Sequence, residues 1–219
     1  MIADLEPNAA PHDADGEVGM TPRLVIGVSG ASGAIYARRL LEVVRQLGGI
    51  ETHLVMSGPG KQTISYELRC PLAEFTALAD VTYRTGDIAA AIASGSFRTS
   101  GMIVAPCSMR TVGAIATSAS DNLLVRAADV TLKERRRLVL LVRETPLHLG
   151  HLRLLTTVAE IGATVMPPVP AFYTHPASLA DIVDQTVGRI LDQFDIVVPA
   201  GLFPRWGGMA AARASEDAP

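Results

Sequence analysis

The chain is poor in cysteine, in lysine and in unbroken apolar runs, and each shortage removes a class of function. Only two cysteines, Cys70 and Cys107, occur in 219 residues. They make no pair of the metal-binding kind, and two isolated thiols point to a reduced, cytoplasmic setting rather than to a disulfide framework. No apolar run approaches the ~18 residues that a bilayer demands. The net charge of −3 offers neither nucleic acid nor an anionic membrane a basic surface. Residues 1–22 contain no Lys or Arg and no apolar core, so they do not spell an export signal. They read as a disordered acidic tail. Of 19 basic residues only Lys61 and Lys133 are lysines. Arginine is the default cation, so Lys133 is either a place where an ammonium is wanted or a solvated helix residue.

What is present is one α/β domain, with 48% hydrophobic residues to fill its core. Residues 24–38, LVIGVSGASGAIYAR, organise it. A β-branched apolar run reads as a buried parallel strand. A turn of tiny residues follows, and residues 34–47 then take up helical spacing, with Ile35, Leu40, Leu41 and Val44 on one side. Strand, small turn and helix let a phosphate approach backbone N–H groups at a positive helix end. A tight connection without a ligand is the bland alternative. A nicotinamide dinucleotide is disfavoured: Ser29 stands at the middle glycine of its fingerprint, and the second strand, 52–56, ends in Ser57 with no carboxylate.

Further along, residues 61–68 and 87–93 read as short helices and 102–105 as a strand stopped by Pro106. Ser108 is the expected N-cap of the next helix, which adds the Arg110 cation and the Thr111 hydroxyl at the same sheet edge. Cys107 has no neighbouring histidine and reads as an inert buried thiol. Residues 123–137 form an amphipathic helix. Its Arg126 and Lys133, two turns apart, make either a charged outer face or a cationic stripe for a second phosphate. The strand 138–142 ends in Arg143 and Glu144, which are costly there unless used or paired. Glu67 reads as a solvated carboxylate. His148 and His151 lack a third partner for a metal. Helix 149–161, strand 164–166, a stiff proline-rich segment 167–176 and helix 181–194 complete the domain. Residues 195–219 form a tail whose Leu202, Phe203 and Trp206 are expected to pack on a neighbouring subunit.

Five blocks in order, GVSGASGAIYA, PCSMRT, DNLLVRAADVTLKERR, RETPLHLGHL and MPPVPAFYTHP, resemble the flavin prenyltransferases of the ubiquinone pathway, the UbiX type. These belong to the flavodoxin-like, flavin-binding cysteine decarboxylase superfamily. The resemblance runs from Arg23 to Trp206. It implies a Rossmann-like or flavodoxin-like three-layer sandwich with a mostly parallel sheet, a flavin-binding domain at 23–194, and tails at 1–22 and 195–219. It implies transfer of the dimethylallyl group of dimethylallyl phosphate to N5 and C6 of reduced FMN. The prenylated FMN would pass to a partner decarboxylase, with no metal involved. It also implies a homododecamer with sites at subunit contacts. By the same resemblance Gly30, Ala31, Ser32, Ser57, Ser108, Met109, Arg110, Thr111 and Arg143 bind FMN. Arg126, Lys133, Tyr173 and Arg189 hold the donor phosphate, and Ser32, Glu67 and Glu144 move protons. The alternatives are an FMN-dependent peptidyl-cysteine decarboxylase of the same superfamily and a non-catalytic flavin carrier.

Overall fold

A computed structural model of the chain describes residues 21–199 and 201–209. Residues 1–20 of the tail expected at 1–22, and the last ten residues, lie outside the described residues. The first half alternates β1 (Arg23–Val28), α1 (Ala34–Leu47), β2 (Glu51–Met56), α2 (Gly58–Leu68), α3 (Leu72–Thr76) and β3 (Val81–Tyr83). The second half runs through β4 (Gly101–Cys107), α4 (Met109–Ala116), α5 (Leu123–Lys133), β5 (Arg137–Val142), α6 (Leu149–Glu160), β6 (Ala163–Val165) and α7 (Leu179–Asp192).

The six strands form one sheet, all parallel, in the order β3-β2-β1-β4-β5-β6. The chain starts at the centre, steps outward to β3, then returns to β4 and steps out the other way. Such a reversal leaves a crevice at the carboxyl ends of the two central strands, here β1 and β4. The expected three-layer sandwich is found, with a sheet parallel throughout.

Alternation along the strands divides the core in two. Leu24, Ile26, Val28, Val139 and Leu141 face α1 and α7, together with Ile64 and Phe75. Val25, Met102, Val104, Leu138 and Leu140 face α4, α5 and α6. Helix α1 buries Ala34, Ala37, Leu40, Leu41, Val43 and Val44, but Ile35 turns to solvent.

Four local expectations need correction. Residues 87–93 do not make a helix; only Ala91–Ala93 forms a 3₁₀ turn, because Ile88 faces solvent and seven residues give too little helix to repay nucleation. Pro106 does not stop β4, which continues to Cys107 through a register shift where the missing N–H is harmless. Helix α5 ends at Lys133, and Arg135 reverses the chain with φ 54° so that β5 starts at Arg137. The short edge strand β3 and helix α3 were not expected, since three and five residues carry no readable period. The tail also differs in part. Phe203 is buried on its own chain, over Gly188 of α7, whereas Trp206 remains exposed.

Gly60, in the first turn of α2, shows how tightly the strand ends are drawn in. A Cβ there would lie 2.5 Å from the Val28 carbonyl oxygen at the end of β1. Gly60→Ala is therefore expected to lower stability by about 1–3 kcal/mol through overpacking against backbone. Urea unfolding checks this, and an unchanged midpoint would contradict the approach of α2 to β1.

Candidate active site

The crevice between β1 and β4 is assembled by hydrogen bonds between strand ends. The Ser57 N–H donates to the Val28 carbonyl at 2.9 Å, tying the end of β2 to that of β1. The Ser29 hydroxyl donates to the Pro106 carbonyl at 2.9 Å and accepts from the Ser108 N–H at 2.7 Å, tying β1 to β4. The Arg143 N–H donates to the Cys107 carbonyl at 3.0 Å, adding β5.

Of the helices that start at this edge, α2, α4 and α5 meet at one place, each with a polar cap. Ser57 caps α2 through the Gly60 N–H at 3.0 Å, Ser108 caps α4 through the Thr111 N–H at 3.4 Å, and Asn122 caps α5 through the Val125 N–H at 3.1 Å. Between them lies a cleft of about 230 Å³ lined by Gly30, Ser57, Pro59, Ser108, Arg110, Thr111 and Asn122, with Leu124 and Val125 as its floor. Gly30 must be glycine, since a Cβ would fall 2.4 Å from the Pro59 ring. Three helix N-termini, three hydroxyls and a guanidinium around one cavity make an anion site, with positive dipole ends and hydrogen-bond donors converging. Asn122 was not among the expected contacts. Its signal was local: Asn immediately before an amphipathic run is an N-cap.

The start of α1 is used differently. Sequence reasoning leaves its N–H groups free for a phosphate. Instead Glu67 of α2 reaches across, and its Oε2 accepts from the Gly33 and Ala34 N–H groups at 2.9 Å each. Glu67 is thus not the solvated carboxylate that its place in the sequence indicates. Partial burial pushes its carboxyl up, but hydrogen bonds from the Ser32 hydroxyl and the two amides, with the Arg143 charge, win and hold it below the usual carboxylate value. Ser32 and Glu67 therefore act as a pair at the mouth of α1. Ala31 is buried beneath the turn, and the Met109 side chain packs in the core, so Met109 can face the cleft only with its backbone.

Arg143 and Glu144 are both exposed, so the cost of burying them does not arise, and Glu144 Oε1 accepts from the Thr145 N–H. Cys107 is fully buried, and burial pushes its thiol well above the ordinary range, in keeping with an inert role. His148 spends its Nδ1 as the cap of α6, accepting from the Gly150 N–H at 3.0 Å. Among the described residues no group of three or more His, Cys, Asp or Glu side chains stands ready for a metal ion.

The four residues expected at the donor phosphate are not brought together within one chain. Arg126 is directed at the 3₁₀ turn, donating to the Ala93 carbonyl at 3.2 Å and to Asp129 at 3.0 Å. Lys133 lies at the far end of α5, paired with Glu134 beside the amino end of β5. Arg189 is near the amino edge too, on the other face of the sheet, paired with Asp192 at 2.9 Å. Tyr173 stands edge-on to Trp206, ring centroids 5.5 Å apart. Sequence reasoning placed Trp206 only in the tail and missed that it meets a predicted site residue.

Comparison with known proteins decides the family. The model of the Flavoprotein family matches residues 16–197. The flavin prenyltransferase UbiX of Escherichia coli K12 is 62% identical over 85% of this chain and 98% of its own. That of Thauera aromatica is 55% identical over 85% and 94%. The chain belongs to the UbiX-type flavin prenyltransferase family. Within that family, AnUbiX (PadA1), solved with FMN and dimethylallyl pyrophosphate, superposes with a TM-score of 0.83 at 49% identity, covering 86% of this chain and 99% of that one. A dodecameric FMN-dependent UbiX-like decarboxylase from Escherichia coli O157:H7 superposes at 0.81 and 46% identity, over 85% and 100%. The peptidyl-cysteine decarboxylase EpiD shares the fold alone, at 14% identity and a TM-score of 0.57.

The Glu67 contacts carry a pH signature. Its folded-state value lies below the ordinary 4.5, so its stabilisation is complete above that value and is lost as pH falls through the depressed one. Glu67→Gln keeps an acceptor but no charge. The melting-temperature gap between wild type and variant should be constant well above pH 4.5 and should narrow only as the pH falls below it. The absence of a gap at neutral pH would mean that the carboxylate is not held ionised against α1.

Proposed function

We propose that this chain is a flavin prenyltransferase that joins the dimethylallyl group of dimethylallyl phosphate to N5 and C6 of reduced FMN. The observation that carries the reading is the match over almost the whole domain to a relative solved with FMN and a dimethylallyl ester. The cleft supports it independently. Its helix ends and hydroxyls suit the phosphate and ribityl end of FMN, and its volume leaves the ring system to extend beyond it. Gly30, Ser57, Ser108, Arg110 and Thr111 hold that end, with Ala31 and Met109 beneath it. Arg143 and Ser32 flank the ring.

The reaction breaks the allylic C–O bond and expels phosphate as N5 forms the C–N bond and gives up its proton; the prenyl double bond then takes up a proton at C2 while its C3 forms the C–C bond to C6, which gives up its own proton. Cations around the departing phosphate stabilise the charge that develops on it. Arg126, Lys133, Arg189 and Tyr173 are the donors for that role. Since Lys133 and Arg189 stand at the amino edge of their own sheet, on opposite faces, they serve the carboxyl-edge site of another copy. Sites between copies follow from this reading, the dodecameric UbiX-like relative supports twelve copies, and the exposed Trp206 beside Tyr173 belongs to the same contact. Glu67, held ionised, cannot donate a proton; it orients the Ser32 hydroxyl, through which a proton leaves the flavin. Glu144 is the exposed carboxylate left to carry a proton between flavin N5 and the departing phosphate.

The product then serves a separate prenylated-FMN-dependent decarboxylase. The chain is proposed to work in the cytoplasm, beside the decarboxylase that takes its product; no helix among the described residues is long and apolar enough to cross a membrane. The cysteine-decarboxylase alternative rests only on shared fold.

Anaerobic incubation with reduced FMN and dimethylallyl phosphate, followed by mass spectrometry of the extracted flavin, tests the reading. A flavin heavier by one prenyl unit is expected, and unmodified flavin would leave a carrier or a decarboxylase. For Glu144→Gln, single-turnover absorbance should show FMN retained and prenylation slowed ~10²–10⁴-fold. Loss of flavin with an unchanged rate in whatever stays bound would make Glu144 structural instead.

A further inference from the structure

We infer that Ser29 is a positioning residue for the FMN cleft, acting through Ser108 without touching the ligand; this rests on the cleft being the FMN site. Ser29 occupies the middle position of a glycine fingerprint, where a dinucleotide site needs a hydrogen for close approach of pyrophosphate. Here the position carries a side chain, and that side chain is 1% exposed. All of its hydrogen bonding goes to β4 and the start of α4. The hydroxyl donates to the Pro106 carbonyl at 2.9 Å and accepts from the Ser108 N–H at 2.7 Å, and the Ser29 N–H also reaches the Pro106 carbonyl, at 3.2 Å.

The consequence is geometric. The cleft has two walls. The α2 wall, with Ser57, is fastened to β1 at Val28. The α4 wall, with Ser108, Arg110 and Thr111, is fastened to β1 at the next residue, Ser29. Two consecutive residues of one strand end therefore set the spacing between the donors of both walls. Without the Ser29 hydroxyl, the Ser108 N–H loses its partner in a part-buried setting, which is costly unless the segment moves. Proline fixes φ at position 106, so the movement passes to Ser108 and the first turn of α4. The Ser108 hydroxyl, 3.2 Å from that of Thr111, moves with it, while Ser57 stays in place.

FMN titrations followed by flavin fluorescence quenching test the role. Ser29→Ala should weaken FMN about tenfold, the scale of one lost hydrogen bond that positions several others. The loss should be strongly non-additive with Ser108→Ala, because both act on one wall. With Ser57→Ala it should be additive, because that residue belongs to the other wall. A merely structural role would couple equally to both. Ser29→Cys, similar in size but a weak donor and acceptor, provides a second variant if Ser29→Ala does not fold, and should weaken FMN several-fold. Wild-type affinity in either folded variant, or equal coupling to Ser57 and Ser108, would overturn the inference. Failure of the wild-type protein to bind FMN would instead overturn the assignment of the cleft.

Discussion

The constraint on which the molecule depends is the fastening of neighbouring strand ends to the carboxyl end of β1. Parallel strands present their last carbonyls and amides in one direction, and those groups must find partners when covered. Here they find each other. Val28 holds Ser57, Ser29 holds Pro106 and Ser108, and Cys107 holds Arg143. With these groups paired, the helices after β2 and β4 are drawn toward one point, and α5 joins them through its Asn122 cap. The anion site is a by-product of satisfying backbone at the place where the sheet reverses its order.

Charge is then divided between two helix groups. The ends of α2, α4 and α5 are left for a ligand, whereas the end of α1 is taken by Glu67. A carboxylate there satisfies two amides and the helix dipole, as a bound anion would. It also gives Ser32 a fixed acceptor, so the hydroxyl nearest the glycine turn has a defined direction. The turn that in other folds of this strand order receives a pyrophosphate here has its amides occupied by a carboxylate of the same chain.

The cations proposed for the donor phosphate follow another logic. Helices that return from the carboxyl edge place their last turns at the amino edge, so Lys133 and Arg189 are carried away from their own cleft. Each is held by a carboxylate neighbour, Glu134 or Asp192, which keeps the side chain ordered at the surface. Exposed pairs of this kind are worth little to stability. In the proposed function their value lies in presenting a cation to another copy of the chain.

Much of this was legible before any coordinates. Strand, small turn and helix at residues 24–47, Ser57 at the end of the second strand, the cap Ser108, and the strand 138–142 ending in Arg143 are local signals. Each is contained within one or two turns of chain, where apolar period and cap chemistry act. They determined the α/β class and five residues of the cleft. The tertiary structure decided the rest. Glu67 meets Gly33 and Ala34 only because α2 packs beside α1, and no spacing in the sequence encodes that meeting. The separation of Lys133 from Arg189 depends on which face of the sheet each helix covers. The burial of Phe203 over Gly188 depends on the tail folding back along α7. A residue's period and cap are set by its neighbours along the chain, but its partners are set by how whole elements pack, and that information is spread over the entire core.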